Sequence, residues 1–462
     1  METPTKLPEG LSNRHIMMIS IGGVIGAGLF VGSSAAIAKA GPAVVVSYIL
    51  TSILVFLVMR MLGEMAVMQP DTGSFSTYAR KAIGPWAGFS IGWLYWWFWV
   101  LVIPIEAIAG AAILSSWFPM VPAWLFAFAF VVLLSIANFF SVKNFGEFEF
   151  WFALIKVVAI VGFIAVALMA VLGFWPLAPE VSGVANLIQN EGFMPNGLGS
   201  VLGAVLITAF SFFGVEILSI AAAEAKNPQE KIQKATNLVL YRIILFFVVS
   251  IFLAVSLIDW RSPLLPQHGT FQYVLMTLNV PGTKLIIDSV VFIAVASCMN
   301  AALFTSSRML FSLGTRGDAP KIMTKLTQHG VPRIAVLAST AIGLITCLAN
   351  YLFPGQVFGF LLSTTGAIAL LVYLVIAISQ LRLRRYYIAN NIEVPFKMWL
   401  FPWLTWFVII VILSVLGYMF FSPQYSYETM LSLGITSVVV ILGVIVTRKR
   451  RERYVALEPI PK

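Results

Sequence analysis

Long apolar stretches follow one another from the fifteenth residue of this chain almost to its end, and they leave little freedom in what it can fold into. A helical membrane crossing needs roughly 20 apolar residues, and about twelve segments reach that length. Their approximate extents are 15–38, 42–67, 86–115, 121–140, 150–173, 200–222, 238–258, 283–311, 333–352, 355–380, 398–421 and 427–446. In hydrocarbon every backbone N–H and C=O must be satisfied within its own segment, which makes each stretch a helix. Composition agrees: 60% of residues are hydrophobic and 10% charged, where a soluble domain carries about a quarter charged. The expected class is an all-α integral membrane protein of about twelve transmembrane helices.

Two of these segments are interrupted by glycine. The first contains GGVIGAGLF (Gly22 to Phe30) and the sixth contains FSFFGVEIL (Phe210 to Leu218). An unwound stretch at membrane depth is tolerated only where its backbone lines a polar cavity. Paired interruptions at matching places in two halves of a chain point to a transporter's substrate site. Gly22 and Gly26 also form a GxxxG, which by itself reads as helix packing. The two interrupted segments lie five spans apart. Five is odd, so the second set of five enters the membrane inverted, giving a 5+5 inverted repeat with two added C-terminal helices. The implied organisation is a tail (1–14), a first repeat (15–173), a second repeat (200–380), two further helices (398–446) and a basic tail (447–462).

Charge fixes the orientation. Lys6, Arg14, Arg80, Lys81, Lys143, Lys226, Lys231, Lys234, Arg316, Lys321, Lys325, Arg333, Arg382, Arg384, Arg385, Lys397 and the tail from Arg448 to Arg453 fall in alternate loops; the opposite loops hold Lys39, Arg261 and Lys284. By the positive-inside rule both termini are cytoplasmic. The net charge of +10 is then a topology signal with some attraction to anionic lipid, and no nucleic-acid partner is implied. Met1 to Ser12 is polar and the first apolar stretch is too long and lacks a cleavage site, so no signal peptide is expected. Cys298 and Cys347 both lie inside spans, which offers neither a disulfide framework nor metal-ligand spacing. No GxxxxGK[ST] is present, arguing against ATP-driven transport within this chain. A membrane-embedded enzyme lacks support too: His15, His268 and His329 all fall outside spans or at their ends.

Ionisable residues at depth are functional-site hypotheses by default, because a charge at the helix centre costs about 2.5–3.5 kcal/mol even on lenient scales. Glu106 sits mid-span in VIPIEAIAG and Glu216 directly follows the second interruption. Glu64 and Asp288 lie nearer span ends and read as structural partners, and Glu224 as an end cap. Lys156 lies well inside the fifth span. It either snorkels to the cytoplasmic face or stays at depth, where it can exchange a proton. Trp93, Trp96, Trp97 and Trp99 read as packing and interface residues. Cys298 is either near the pathway or a small buried residue. The Pro70-Asp71-Thr72-Gly73 turn and SFSTYARK read as a short cytoplasmic amphipathic segment, with Asp71 and Thr72 as caps.

Longer stretches carry a resemblance. Ala40-Gly41-Pro42, Gly63-Glu64 and Pro70 look like the amino-acid-permease signature. The segments MRMLGEMAV, PDTGSFSTYA, AIGPWAGFSIGWLYWWFWVLVIPIEA, SVKNFGEFEFW, EGFMPNG, RGDAP and TGAIALLVYLVIAISQL extend it along nearly the whole chain. The chain resembles the amino acid–polyamine–organocation (APC) permeases, and within them the bacterial 4-aminobutyrate (GABA) permeases. The resemblance implies the APC fold, a multi-pass location in the bacterial cytoplasmic membrane, and a small amino-acid substrate. It implies no cofactor, with H+ as the coupling ion, and no oligomeric state is specified. It also implies site roles: N–H groups around Gly26, Ala27 and Gly28 holding a carboxylate, and carbonyls near Val24 and Phe213 accepting from an ammonium. Glu106 would be the counter-charge, Phe210 a closing gate beside Phe213 and Gly214, and Lys156 would stand where sodium-dependent members bind sodium. Proton coupling would run through Glu216 and Lys156. The expected function is proton-coupled uptake of 4-aminobutyrate or a similar ω-amino acid. An exchanger on the same fold, or a permease for another zwitterionic amino acid, is the alternative.

Overall fold

The computed structural model describes residue 18 and residues 23–449, except 72, 140–141, 182, 190, 218, 221–228, 231, 234–235, 238–240, 242–244, 329, 354–356 and 424–425. The side chains of 142–145, 358–359 and 362–363 are likewise outside the description. Gly22, Thr72, Glu224, His15, His329 and the basic tail beyond Lys449 therefore lie outside the described residues, as does the Lys143 side chain.

Among the described residues all regular structure is helical. A π-helical turn, Gly28–Gly32, leads into α1 (Ser33–Ala40). There follow α2 (Val44–Met68), α3 (Phe75–Ala82), α4 (Pro85–Trp117), α5 (Ala123–Ala137), α6 (Val142–Val171) and α7 (Gly197–Phe212). A second π-turn, Leu245–Val249, opens α8 (Ser250–Leu257), and the short α9 (Leu264–His268) and α10 (Thr270–Thr277) come next. The chain finishes with α11 (Thr283–Thr315), α12 (Arg333–Leu352), α13 (Val357–Ala389), α14 (Trp403–Phe421) and α15 (Ser426–Lys449).

Eight described helical stretches are long and apolar enough to cross a membrane, and three shorter apolar helices (α5, α7 and the α8 region) join them. One of the eight, Gly28–Met68, is two passes, because the chain turns at Gly41 (φ +62°) between α1 and α2. Among the described residues this gives twelve apolar helical stretches, in line with the hydropathy pattern. Helices α2, α4, α11 and α13 form the buried centre, and the broadest contact joins α4 to α11. Helices α6, α12, α14 and α15 are peripheral: α15 buries only 17% of its most apolar stretch. Outward side chains such as Trp124, Phe128, Ile155, Val158, Ile410 and Val438 are exposed. A belt of that size on a soluble protein would aggregate; here it meets lipid.

Polar contacts tie down the ends of the bundle. The Glu64 carboxylate accepts from the Met398 N–H (2.6 Å) and from Gln380 Nε2 (3.1 Å), with Arg384 3.6 Å away. Asp288 accepts from Trp117 Nε1 (3.1 Å). These two acids anchor helices, as their position near span ends suggests. Asp71 turns the chain into α3, accepting from the Gly73 N–H (2.6 Å) and the Thr77 hydroxyl (2.9 Å). Helix α3 is then held against the end of α11 by the Arg80–Asp318 ion pair and by Arg316 Nη1 donating to Thr77 (3.1 Å).

Candidate substrate site

The two glycine interruptions meet at the centre of the bundle. Helix α7 ends at Phe212, Phe213 is extended, and Gly214 takes φ +118°, a conformation side chains rarely adopt. A Cβ on Gly214 would lie 2.6 Å from the carbonyl oxygen of Gly23, so the two breaks are in backbone contact. Gly28 faces the same seam: a Cβ there would lie 2.8 Å from Ser211 Cα. No residue larger than glycine fits either place without separating the breaks.

A cavity opens beside this contact. The first break contributes Gly23, Val24, Gly26 and Gly28, and the second Phe210, Ser211 and Phe213. Helix α4 closes it with Phe98, Trp99, Val102 and Glu106, and α11 adds Cys298. Its aromatic rings pack on one another, with Phe98 and Phe213 centroids 4.0 Å apart and Phe98 and Phe210 6.3 Å apart. Trp99 belongs to the cavity wall, which corrects its reading as plain packing; Trp93 and Trp96 do pack, donating to Asp318 O (3.2 Å) and Ser339 Oγ (3.1 Å).

Three buried ionisable side chains hold the breaks open. The Ala27 N–H donates to both carboxylate oxygens of Glu106, at 3.3 and 3.1 Å. This is the start of a half-helix, where exposed N–H groups and the helix dipole favour an anion. Glu106 thus occupies the spot at which the resemblance placed a substrate carboxylate. Lys156 Nζ donates to the Ile25 carbonyl (3.0 Å) and to Ser297 Oγ (2.7 Å). Its side chain is fully buried, so the snorkelling alternative does not hold. Glu216 folds back on its own break: both oxygens accept from the Gly214 N–H (3.1 and 2.9 Å), and Tyr95 OH donates to it (3.2 Å). Cys298 Sγ lies 3.6 Å from the Gly23 carbonyl. The carbonyls engaged at the first break are therefore those of Gly23 and Ile25, which flank Val24.

Glu106, Gly26, Gly28, Val24, Phe210 and Phe213 line the cavity; Ala27 and Gly214 do not, and Glu216 and Lys156 stand behind its walls. Reading the sequence missed Tyr95, Ser211, Ser297 and Glu149; only Glu149 carried a signal, as an acid two turns from Lys156. At one end of the cavity region, α10 packs on the first helix. Ser33 and Thr270 hydroxyls are 2.8 Å apart, and Phe271 is wedged between Phe30 (4.9 Å) and Phe163 (4.5 Å).

The arrangement offers complementary groups to both charges of a zwitterion. An ammonium meets a carboxylate and the faces of several aromatic rings, and a carboxylate meets helix N–H groups.

Comparison with known proteins shows what this chain is similar to. The family model described as amino acid permease matches residues 15–458. A probable GABA permease of Pseudomonas aeruginosa is 55% identical, over 96% of this chain and 94% of its own. The gamma-aminobutyric acid permease of Escherichia coli is 54% identical over 95% of each. The aromatic amino acid transport protein AroP of Corynebacterium glutamicum is 38% identical over 89% of each. Among solved structures, a mutant of the manganese transporter of Eremococcus coleocola shares the fold, with a TM-score of 0.57 at 13% identity, covering 95% of this chain and 94% of that one.

Proposed function

The chain belongs to the amino acid permease family, and from that membership we propose that it is a secondary active transporter coupling inward proton movement to uptake of 4-aminobutyrate. It is a multi-pass membrane permease and not an enzyme. The observation that carries the substrate reading is the cavity between the two breaks, with one carboxylate, an aromatic wall and helix N–H groups within a few ångströms. Relatives named GABA permeases support the ω-amino acid in particular.

In this reading the substrate carboxylate replaces Glu106 on the first-break N–H groups of Gly26 to Gly28. The displaced Glu106 turns to the substrate's ammonium, and Phe210 closes over the pair. A carbon chain between the two charges separates them enough to be met by different elements, α4 and the first break. An unpaired buried charge is prohibitively expensive, so ligands lacking either charge bind poorly. Proton coupling follows if Glu216 and Lys156 change protonation between the two facing states, because each grips one break and so gives the proton a differential effect on them. The basic loops support cytoplasmic termini, and the odd spacing of the breaks supports the inverted repeat.

Radiolabelled uptake into proteoliposomes tests this. An imposed inward proton gradient is expected to drive 4-aminobutyrate above its external concentration. Substrate-induced exchange with no response to the gradient would replace symport by the exchanger reading.

A further inference from the structure

Helix α6 carries a second ionisable group that the transport reading leaves without a task. Glu149 is completely buried and lies two turns before Lys156, about 10 Å away along the helix axis. Ser297 of α11 fills the gap. Lys156 Nζ donates to Ser297 Oγ at 2.7 Å, and the Ser297 hydroxyl donates in turn to Glu149 Oε1 through a short hydrogen bond. Both bonds point the same way, from lysine through serine to glutamate. The other oxygen, Oε2, is buried, and Asn300, almost one turn further along α11, lies beside the same carboxylate. It also accepts from Asn138 Nδ2 (2.7 Å) at the half-buried end of α5.

Glu106 from α4 and Cys298 from α11 also act on Lys156. Helix α8 and the π-turn before it, which also pack on α6, carry no ionisable side chain. Glu149 does not line the substrate cavity.

We propose that Glu149 is the acceptor that takes the transported proton from Lys156, with Ser297 as the relay between them. The step balances without any co-reactant. An N–H bond of the Lys156 ammonium breaks as that proton joins Ser297 Oγ, while the Ser297 hydroxyl proton passes to Glu149 Oε1. The ammonium–carboxylate pair becomes an amine and a carboxylic acid, a neutral pair that a dry interior accommodates at lower desolvation cost. The charged grip on the Ile25 carbonyl is lost at the same moment, loosening the first break. Glu149 lies toward the end of α6 that the basic loops place at the cytoplasm, so the proton moves inward. The inference rests on the proton-symport reading.

Proteoliposomes with a one-unit pH gradient provide the test. At one proton per substrate, wild type is expected to reach about tenfold accumulation. Glu149→Gln and Ser297→Ala are expected to accumulate no substrate above the external level while keeping counterflow exchange within about twofold of wild type. Ser297→Thr, which keeps the hydroxyl, should restore accumulation, and a lumenal pH dye should record substrate-driven acidification in the same pattern. Undiminished accumulation in Glu149→Gln or in Ser297→Ala overturns the relay. Loss of counterflow and of substrate-induced thermal stabilisation in Glu149→Gln also overturns it, by assigning the group a purely structural role. A wild-type protein indifferent to the gradient removes the symport reading itself, and the relay with it, before any variant is compared.

Discussion

At the scale of single residues, the glycines carry the sharpest expectations. A methyl group on Gly26 would lie 2.7 Å from Glu106 Oε1 and 2.8 Å from Cys298. Gly26→Ala should therefore push the carboxylate off the Ala27 N–H and weaken substrate binding at least tenfold while sparing insertion, as equilibrium binding of labelled substrate can show. Gly214→Ala meets both a left-handed φ and the Gly23 carbonyl. Its expected effect is a loss of stability of more than about 1 kcal/mol, visible as a lower melting temperature in detergent. Glu216→Gln keeps an acceptor for the Gly214 N–H but removes the charge, so gradient-driven accumulation should fail in a protein that still melts near the wild-type temperature. The glycines, Glu106, Lys156 and Glu216 were legible in the sequence because backbone breaks and charges at depth are costly and hence conspicuous. Ser297 and Tyr95 were not, since hydroxyls are common in membrane helices. Their importance comes only from partners 141 and 121 positions away. Glu149 was hidden by its place near the start of a helix, where an acid passes for an interfacial residue.

At the scale of elements, the pairing of α3 with α11 is a contact that hydropathy does not encode. The amphipathic pattern of SFSTYARK marks a helix beside the membrane, yet Phe75 to Arg80 are all buried. What buries them is packing against α4 and α13, while Asp318, just past the end of α11 and inaccessible to solvent, pairs with Arg80. Removing one partner of a buried ion pair leaves an uncompensated charge, so Asp318→Ala should destabilise the fold by about 3–5 kcal/mol. Replacing both, as in Arg80→Met with Asp318→Leu, should recover only part of that loss, because Arg316 Nε, 3.8 Å away, also pairs with Asp318. Thermal unfolding of the wild type and the two variants checks this; equal stability in the single and double variants would remove the pair as a reason α3 stays docked. Span number and the positions of the two breaks could be read from hydropathy and glycine. Which helices form the centre could not, because in lipid an apolar face does not by itself say whether it meets a neighbour or an acyl chain.

At the scale of the whole molecule, the proposed binding mode makes substrate preference depend on how far apart the two charge-binding elements sit. In competition against labelled 4-aminobutyrate, ω-amino acids of similar length are expected to displace it, and leucine, arginine and glutamate to do so poorly. A win for α-amino acids would leave the family intact and move the substrate. The Glu106 carboxylate resting on the Ala27 N–H has a consequence for the other half of the transport cycle. With no cargo aboard, the broken helix already has an anion of its own on the Ala27 N–H. On the proposed symport reading, the return stroke is then expected to need no counter-solute. Vesicles preloaded with labelled 4-aminobutyrate should keep emptying into substrate-free medium at a rate comparable to that seen with substrate outside. Efflux that stops when the outside is bare would mean that Glu106 cannot substitute for cargo, and that the carrier is locked whenever it is empty.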